Sequence, residues 1–363
     1  MFGKKTERKY RKRYSAKASL ILFILLFVLG MGAWFIYEIM AIKPADEWFE
    51  SKASNEGKVS LPKDDAPHQA KMEWWYYNGH LTTESGKRFS FHYTTFIVTD
   101  LISHLVKHVS LSDHQTNQRF TDQRRTTVGI DFASATSDGF DFKMDNWTMT
   151  GKNGHDQLVA ATNQYSFNLT LTSTLPPVLH GEEGIISLEQ AGSSYYYSRT
   201  RMAISGTVKI GKKIEAVKGI AWFDHQWGDF TTNQLSWDWF SLQLDSGEDV
   251  MLYQLRDKLG NPILYTGSVT QNGITEVLSS KDFTLIPGKK WTSKKTGIAY
   301  PISWTIQIPK RNMDIKTQGL MENSEFDAML STYNIYWEGA VKIEGTHTGT
   351  GFMELYGYGD KKK

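Results

Sequence analysis

From about residue 70 onward the apolar residues come in short runs with a period of two, broken every few residues by Gly, Asn, Asp or Ser. FDFKMDNW and YSFNLTL alternate cleanly; RFSFHYTTFIV, DVMLYQL, PILYTGSVT and PISWTIQIP are further short apolar segments. Period two places alternate side chains on opposite faces of an extended chain, so each of these segments reads as a strand. Only DLISHLVKHVSL, Asp100 to Leu111, has apolar spacing that suits a helix. The expected class is therefore all-β, a sandwich or barrel. The 13% of Phe, Trp and Tyr supplies large side chains for its interior.

An internal echo divides this β region. SGTVKI, Ser205 to Ile210, resembles EGAVKI, Glu338 to Ile343, and each is followed by a Gly-led strand, GIAWFD from Gly219 and GFMELY from Gly351. A second pair, EWWYYNGHL…GKRFSFHY and WDWFSLQL…GEDVMLYQ, comes in the same order. Repetition at this spacing points to two related β-domains, one over residues 66–234 and one over 235–363.

The N-terminus is of another kind. Residues 1–17 carry Lys4, Lys5, Arg8, Lys9, Arg11, Lys12, Arg13 and Lys17 against Glu7 alone. Ala18 to Tyr37 is uncharged over 20 residues, long enough to span the ~30 Å hydrocarbon core of a bilayer. No Ala-x-Ala cleavage site follows, and a cleaved signal peptide would have a shorter apolar stretch. Residues 18–42 are thus expected to be a membrane anchor with the basic end cytoplasmic and the β-domains on the extracytoplasmic side of the cell membrane. Residues 43–65 are read as a polar tether. The net charge of +2 gives no field for nucleic acid, and the lack of cysteine excludes disulfides and thiolate chemistry.

Two aromatic segments hold the chemical candidates. In GIAWFDHQWGDF, parity puts Phe223, His225 and Trp227 on one face and Trp222, Asp224 and Gln226 on the other. A histidine among aromatics is a plausible acid–base group, or a hydrogen-bonded structural one. In EWWYYNGHL, Glu73, Trp75 and Tyr77 share one face, and Trp74 and Tyr76 the other. Both faces are aromatic, so both should be covered. Glu73 is costly to bury alone and needs a partner, with His68 within reach. Tyr253 shares parity with Met251 and Leu255, which suggests an inward tyrosine; Arg256 and Asp257 follow at the strand end. There is no His-Glu-x-x-His, phosphate loop, dinucleotide fingerprint or Gly-x-Ser-x-Gly elbow. His104, His108 and His114 lack an evident further ligand, so neither metal nor cofactor is expected.

These segments, with H-x4-EWWYYNGHL from His68, AWFDHQWGDF, WDWFSLQL…MLYQLRD and YWEGAVKIEGTHTGTGFMELYGY, resemble the carotenoid 1,2-hydratase and AttH-like family over about residues 66–359. The resemblance implies two tandem lipocalin-like (calycin-type) antiparallel β-barrels. It also implies diverse activities: hydration of acyclic carotenoids, dehydration or cyclisation of polyketide-type substrates by fungal relatives, and sphingolipid handling by others. In the hydratases a His-x-Trp pair and a Tyr-x-Asp pair are implicated in catalysis. His225 and Trp227 match the first pair and Tyr253 the tyrosine. Leu255 stands where the Asp is expected, and Asp257 is the nearest carboxylate.

Two functions follow as expectations. The first is a membrane-anchored protein that binds a hydrophobic lipid or isoprenoid in an aromatic-lined cavity, contacted by Glu73, Trp74, Trp75, Tyr77, Phe223 and Trp239. The second is a hydro-lyase in which His225 and Tyr253, with Trp227 and Asp257, protonate and hydrate a carbon–carbon double bond.

Overall fold

The computed structural model describes residues 57–99, 103–127, 139–230, 235–257 and 259–359, together with Ile21, Phe27, Leu29, Gly30 and Met31, which are helical. The expected anchor and the tether up to residue 56 otherwise lie outside the described residues. Among the described residues no helix is long and apolar enough to cross a membrane.

The alternating segments do form strands. The first sheet contains β1 (Met72–Thr83), β2 (Arg88–Val98), β3 (His104–Asp113), β4 (Gln118–Thr127), β5 (Phe140–Met144), β6 (Trp147–Lys152), β7 (His155–Ala161), β8 (Tyr165–Ser173), β9 (Val178–Leu179), β10 (Ile185–Ser187), β11 (Ser193–Ile210) and β12 (Lys213–Gly228). Its order is β4-β3-β2-β1-β12-β11-β8-β7-β6-β5, with β9 and β10 against β11. The second contains β13 (Ser236–Leu244), β14 (Asp249–Arg256), β15 (Pro262–Gln271), β16 (Ile274–Ser279) and β17 (Thr284–Pro287). A separate ribbon of β18 (Lys290–Thr292) and β19 (Ala299–Pro301) follows. The second sheet resumes with β20 (Ser303–Ile308), β21 (Met313–Gly319), β22 (Glu325–Asp327), β23 (Ile335–Gly345) and β24 (Gly349–Tyr356), in the order β16-β15-β14-β13-β24-β23-β21-β20-β17 with β22 against β23. The segment proposed as helical is mostly strand β3. Its even and odd positions are both covered, so apolar residues occur on both faces and blur the period.

The echo corresponds to equivalent places in the two sheets. Strands β2-β1-β12-β11 run side by side in the first, and β14-β13-β24-β23 in the second. Gly219 in β12 and Gly351 in β24 explain why glycine repeats: a Cβ at either would collide with the backbone carbonyl of the neighbouring strand, His80 and Ser241 respectively.

Each sheet curls around its own side chains. Trp75 meets Phe142, Tyr93 meets Trp147 and Phe91 meets Phe167 across the first interior. Apolar residues such as Phe240, Leu252, Trp304 and Ile315 fill the second. These two near-closed barrels are solid. A third apolar layer, including Tyr76, Tyr196, Trp222, Trp239, Met251, Leu255 and Phe352, joins them. Leu255 and Tyr253 therefore face the other barrel and not the interior of their own.

Residues 57–65 do not behave as the free end of a tether. They cross the mouth of the first barrel, where Asp65 receives two bonds from Arg199 Nη2 at 2.7 and 2.9 Å and one from the Asn153 amide at 2.8 Å. In the sequence Asp64 and Asp65 fall within the expected tether. The partners of Asp65 are distant in the chain and become visible only in the fold, whereas Asp64 is held locally, by the Ser60 amide at 2.7 Å and with His68 Nε2 at 3.7 Å.

Candidate active site between the barrels

The register of β1 and β12 explains the doubly aromatic segment. Glu73 faces Trp227, Trp75 faces His225 and Tyr77 faces Phe223, all inside the first barrel. Trp74 faces Gln226, Tyr76 faces Asp224 and Asn78 faces Trp222 on the opposite side, toward the second barrel. The parity split holds, and each face has its own cover.

Inside, Glu73 is architectural. His68 Nδ1 lies 2.7 Å and His225 Nε2 2.8 Å from Glu73 Oε1, and the His68 amide donates to Oε2 at 2.8 Å. Burial pushes the Glu73 carboxyl up, but the His68 charge and the two histidine bonds outweigh it and hold the group below its usual range. Burial lowers His225 against the pull of Glu73, and it raises no free acid. His68 stacks on Trp227 at 3.9 Å and Trp75 on His225 at 4.3 Å. The three residues converge closely enough to resemble a metal-ligand set. Their short mutual contacts are those of shared protons, with two imidazoles donating to one carboxylate oxygen.

The other face lines a cavity of about 780 Å³ between the barrels. Cross-strand pairing builds its walls as two ladders. On the first barrel, Thr94 on β2, Tyr76 on β1 and Asp224 on β12 stand in a row, with Ser198 on β11 continuing it behind the wall. On the second, Tyr253 on β14, Trp239 on β13, Glu354 on β24 and Glu338 on β23 do the same. Trp74, Trp237, Phe230 and Tyr356 extend the aromatic lining, along with Phe96, Tyr333 and Tyr336.

Two buried carboxyls, Asp224 and Glu338, and the half-buried Glu354 stand here without a direct lysine or arginine contact. Asp224 accepts from Trp222 Nε1 at 2.6 Å, from Tyr196 at 2.8 Å and from Ser198. Burial nevertheless raises it to about 7. Glu354 accepts from Trp237 Nε1 at 3.0 Å; burial, with Asp224 nearby, raises it to about 7. Glu338 accepts from Tyr76 at 2.6 Å and has His92 Nδ1 at 3.0 Å; burial and the neighbouring Glu354 push it well above its usual range. Burial likewise pushes the Tyr253 phenol up, so it stays a neutral donor. Carboxyls balanced between acid and base near neutral pH, in an aromatic enclosure, are suited to moving protons.

The expected site residues are therefore divided. Glu73, Trp75, Tyr77, Phe223, His225 and Trp227 belong to the packed interior of the first barrel. Trp74, Trp239 and Tyr253 line the cavity. His225 and Tyr253 lie on opposite sides of the first barrel's wall and cannot act on one substrate atom. Asp257 is remote as well, in a turn where it bonds Asn261 at 2.8 and 2.9 Å. Its neighbour Arg256 is buried against Asp238 at 3.0 and 3.1 Å. Sequence reasoning passed over Glu338 and Glu354, although each is a carboxylate inside an apolar, alternating strand, the signal that singled out Glu73.

Fold and site together define a tandem β-barrel protein with an acid-lined cavity at the barrel junction. The chain belongs to the AttH-like family, whose model matches residues 52–358. It is similar to the crystal structure of a Nitrosomonas europaea protein assigned to AttH, with 28% identity, a TM-score of 0.78, and 85% of this chain and 99% of that one covered. Kievitone hydratase from Nectria haematococca shares the fold at 17% identity and a TM-score of 0.67, over 85% and 95%. In sequence the chain is 26% identical over 203 residues to dehydratase asqC of Emericella nidulans. That match covers 52% of this chain and 58% of the dehydratase, so the chain spans little more than half of that relative.

Proposed function

We propose that this protein is a hydro-lyase that adds water to, or removes it from, a carbon–carbon bond of a largely apolar substrate held between the barrels. The observation that carries this reading is the set of three poorly compensated carboxyls, Asp224, Glu338 and Glu354, on one aromatic cavity. A passive carrier does not need them, since each costs free energy to bury. A cavity of this volume suits a drug-sized molecule.

In the hydration direction Glu354, bonded by a single indole, gives its proton to one alkene carbon. The π pair forms the new C–H bond, and the π faces of Trp74, Trp237 and Trp239 stabilise the cation left on the other carbon. Water attacks that carbon and loses its proton to Asp224, whose three donors favour the anion. Dehydration is the reverse. The proton returns from Asp224 to Glu354 through water once the product has left.

The test is incubation of the full-length protein in H₂¹⁸O with acyclic isoprenoids and with β-hydroxy carbonyl compounds, followed by mass spectrometry. One ¹⁸O incorporated per isoprenoid hydrated, or one water lost per β-hydroxy carbonyl compound dehydrated, with either abolished in Asp224→Asn and Glu354→Gln, supports the reading. A compound that co-purifies unchanged and is bound equally by both variants supports a carrier instead. We further propose that residues 18–42 anchor the protein in the membrane with the barrels outside the cytoplasm. Continued membrane association after deletion of residues 1–42 overturns that topology.

A further inference from the structure

Behind Asp224 runs a line of hydrogen bonds that the cavity chemistry does not use. Ser198, its cross-strand neighbour, bonds Asp224 Oδ1. The same Ser198 Oγ is 2.6 Å from His180 Nε2. His180 Nδ1 is 3.0 Å from Ser268 Oγ, on β15 of the second barrel. All four residues are buried. The imidazole is held by its own amide, which donates to the Tyr196 carbonyl at 3.1 Å, and its ring lies 4.2 Å from that of Tyr196.

His180 has no charged neighbour, and burial alone lowers it to about 3. It is thus a neutral ring with one N–H and one bare nitrogen, each facing a hydroxyl. Hydroxyls can donate or accept, so the line has two complete arrangements. With Asp224 anionic, Ser198 donates to Asp224, His180 Nε2–H to Ser198, and Ser268 to Nδ1. With Asp224 protonated on Oδ1, every bond reverses: Asp224 donates to Ser198, Ser198 to Nε2, and Nδ1–H to Ser268. The two differ by one proton, on Asp224; Ser268 donates to Nδ1 in the first and accepts from it in the second, where its own hydrogen must turn to another acceptor. The rival site, Oδ2, faces Tyr196, which already accepts from Trp239 Nε1 at 3.1 Å and donates to Oδ2. A proton on Oδ2 directed at Tyr196 would leave the phenol hydrogen unplaced. The other titratable groups that face Asp224 are Tyr76, Tyr196 and Glu354.

We propose that the protonation state of Asp224 and the tautomer of His180 are coupled through Ser198, and that His180 and Ser268 are positioning residues that tune Asp224 from the second barrel. The catalytic meaning of this tuning rests on the hydro-lyase reading; the coupling itself does not.

The experiment needs no substrate. The full-length protein, labelled with ¹⁵N in His and Trp, is titrated by NMR. The Trp222 indole reports Asp224, and the imidazole nitrogens report the tautomer. The expected result is one shared midpoint, with His180 carrying its proton on Nδ1 below it and on Nε2 above it. A His180 that keeps one tautomer while Asp224 titrates, as it would if Oδ2 took the proton toward the cavity, overturns the proposal. So does a His180 that becomes charged.

Two mild variants give opposite signs. Ser198→Ala removes a donor from the anion and should raise the midpoint by about one pH unit, because bonds to charged groups are the stronger ones. Ser268→Ala removes the partner of Nδ1 in both arrangements, a donor above the midpoint and an acceptor below it; an orphaned buried N–H is the costlier of the two, so the midpoint should fall by up to about one unit, although the substitution touches neither Asp224 nor the cavity. Equal, same-signed or absent shifts, with the Tm unchanged, mean that the histidine is only structural. If ¹⁸O incorporation fails while these shifts hold, the hydro-lyase reading falls and the coupling stands.

Discussion

The two faces of β1 and β12 bury carboxylates to similar depth and treat them in opposite ways. Glu73, inside the first barrel, receives two imidazoles and an amide, and its pKa falls. Asp224, one strand over and pointing outward, also receives three donors, but all three are neutral, and its pKa rises to about 7. Burial is common to both, and the number of hydrogen bonds is equal. What separates them is the charge of His68. A buried carboxyl beside a cation is a strut; one among neutral donors is a poised acid or base.

The largest expected effect is on the outward face. Loss of a group that transfers a proton in the transition state costs about 10²–10⁴-fold in rate. Asp224→Asn and Glu354→Gln should each lose that much single-turnover ¹⁸O incorporation while retaining bound substrate. Wild-type rates in both would break the contrast, because the poised carboxyls would then be doing nothing that an amide cannot.

The inward face should answer in stability instead. Glu73→Ala leaves His68 and His225 buried without their acceptor, and removal of one member of a buried pair typically costs about 3–5 kcal/mol. Urea unfolding should show a destabilisation of this order. A loss below about 1 kcal/mol would place Glu73 among ordinary hydrogen-bonded groups.

Most of this contrast was legible in outline and hidden in particulars. Period two separated Glu73, Trp75 and Tyr77 from Trp74 and Tyr76, and it separated His225 from Asp224. What parity cannot say is what covers a face. Both barrels are filled by their own side chains, so the cavity falls at the junction, and this moves the proposed chemistry from His225 to Asp224. Glu338 served in the sequence only as a marker of the repeat. Its meaning depends on Tyr76, which lies 262 positions away in the chain. His180 carried no local signal, since a histidine after a two-residue strand gains its role only from Ser198 and Ser268. Asp65 looked like tether for the same reason, since Tyr197 and Arg199 lie 132 and 134 positions away. Long-range pairing is where a single sequence is least informative.

The pH dependence of stability sets the faces against each other. The fold prefers protonated Asp224 and Glu354, so between their unfolded values near 4 and their folded values near 7 the native state binds protons that the unfolded chain has released. That contribution is full below about pH 4 and is lost as pH rises to about 7. Glu73 acts in the other direction: its depressed pKa contributes stability above about 4.5, which is lost as pH falls through its folded value. His68, whose pKa is raised by its acidic neighbours against burial, contributes below about 6.5, and this is lost as pH climbs through its folded value. Wild-type protein should therefore lose Tm from pH 5 to pH 8, and the double variant Asp224→Asn, Glu354→Gln should lose less. An equal decline in both would assign the slope to His68 and to the other carboxyls that burial raises, Asp156, Asp249 and Glu338.

Asp257 gives the smallest effect and the sharpest control on the choice of residues. The family resemblance made it the substitute for the carboxylate expected at Leu255. Its oxygens instead close a turn on Asn261, and those bonds lower its pKa. It is an anion in water, far from the chemistry, whereas Leu255 is buried in the layer between the barrels. Asp257→Asn should leave the rate of ¹⁸O incorporation and its pH profile unchanged. A fall comparable to that of Asp224→Asn would mean that the β14–β15 turn reaches the cavity when substrate binds, and that the carboxyls of the second barrel have been ranked in the wrong order.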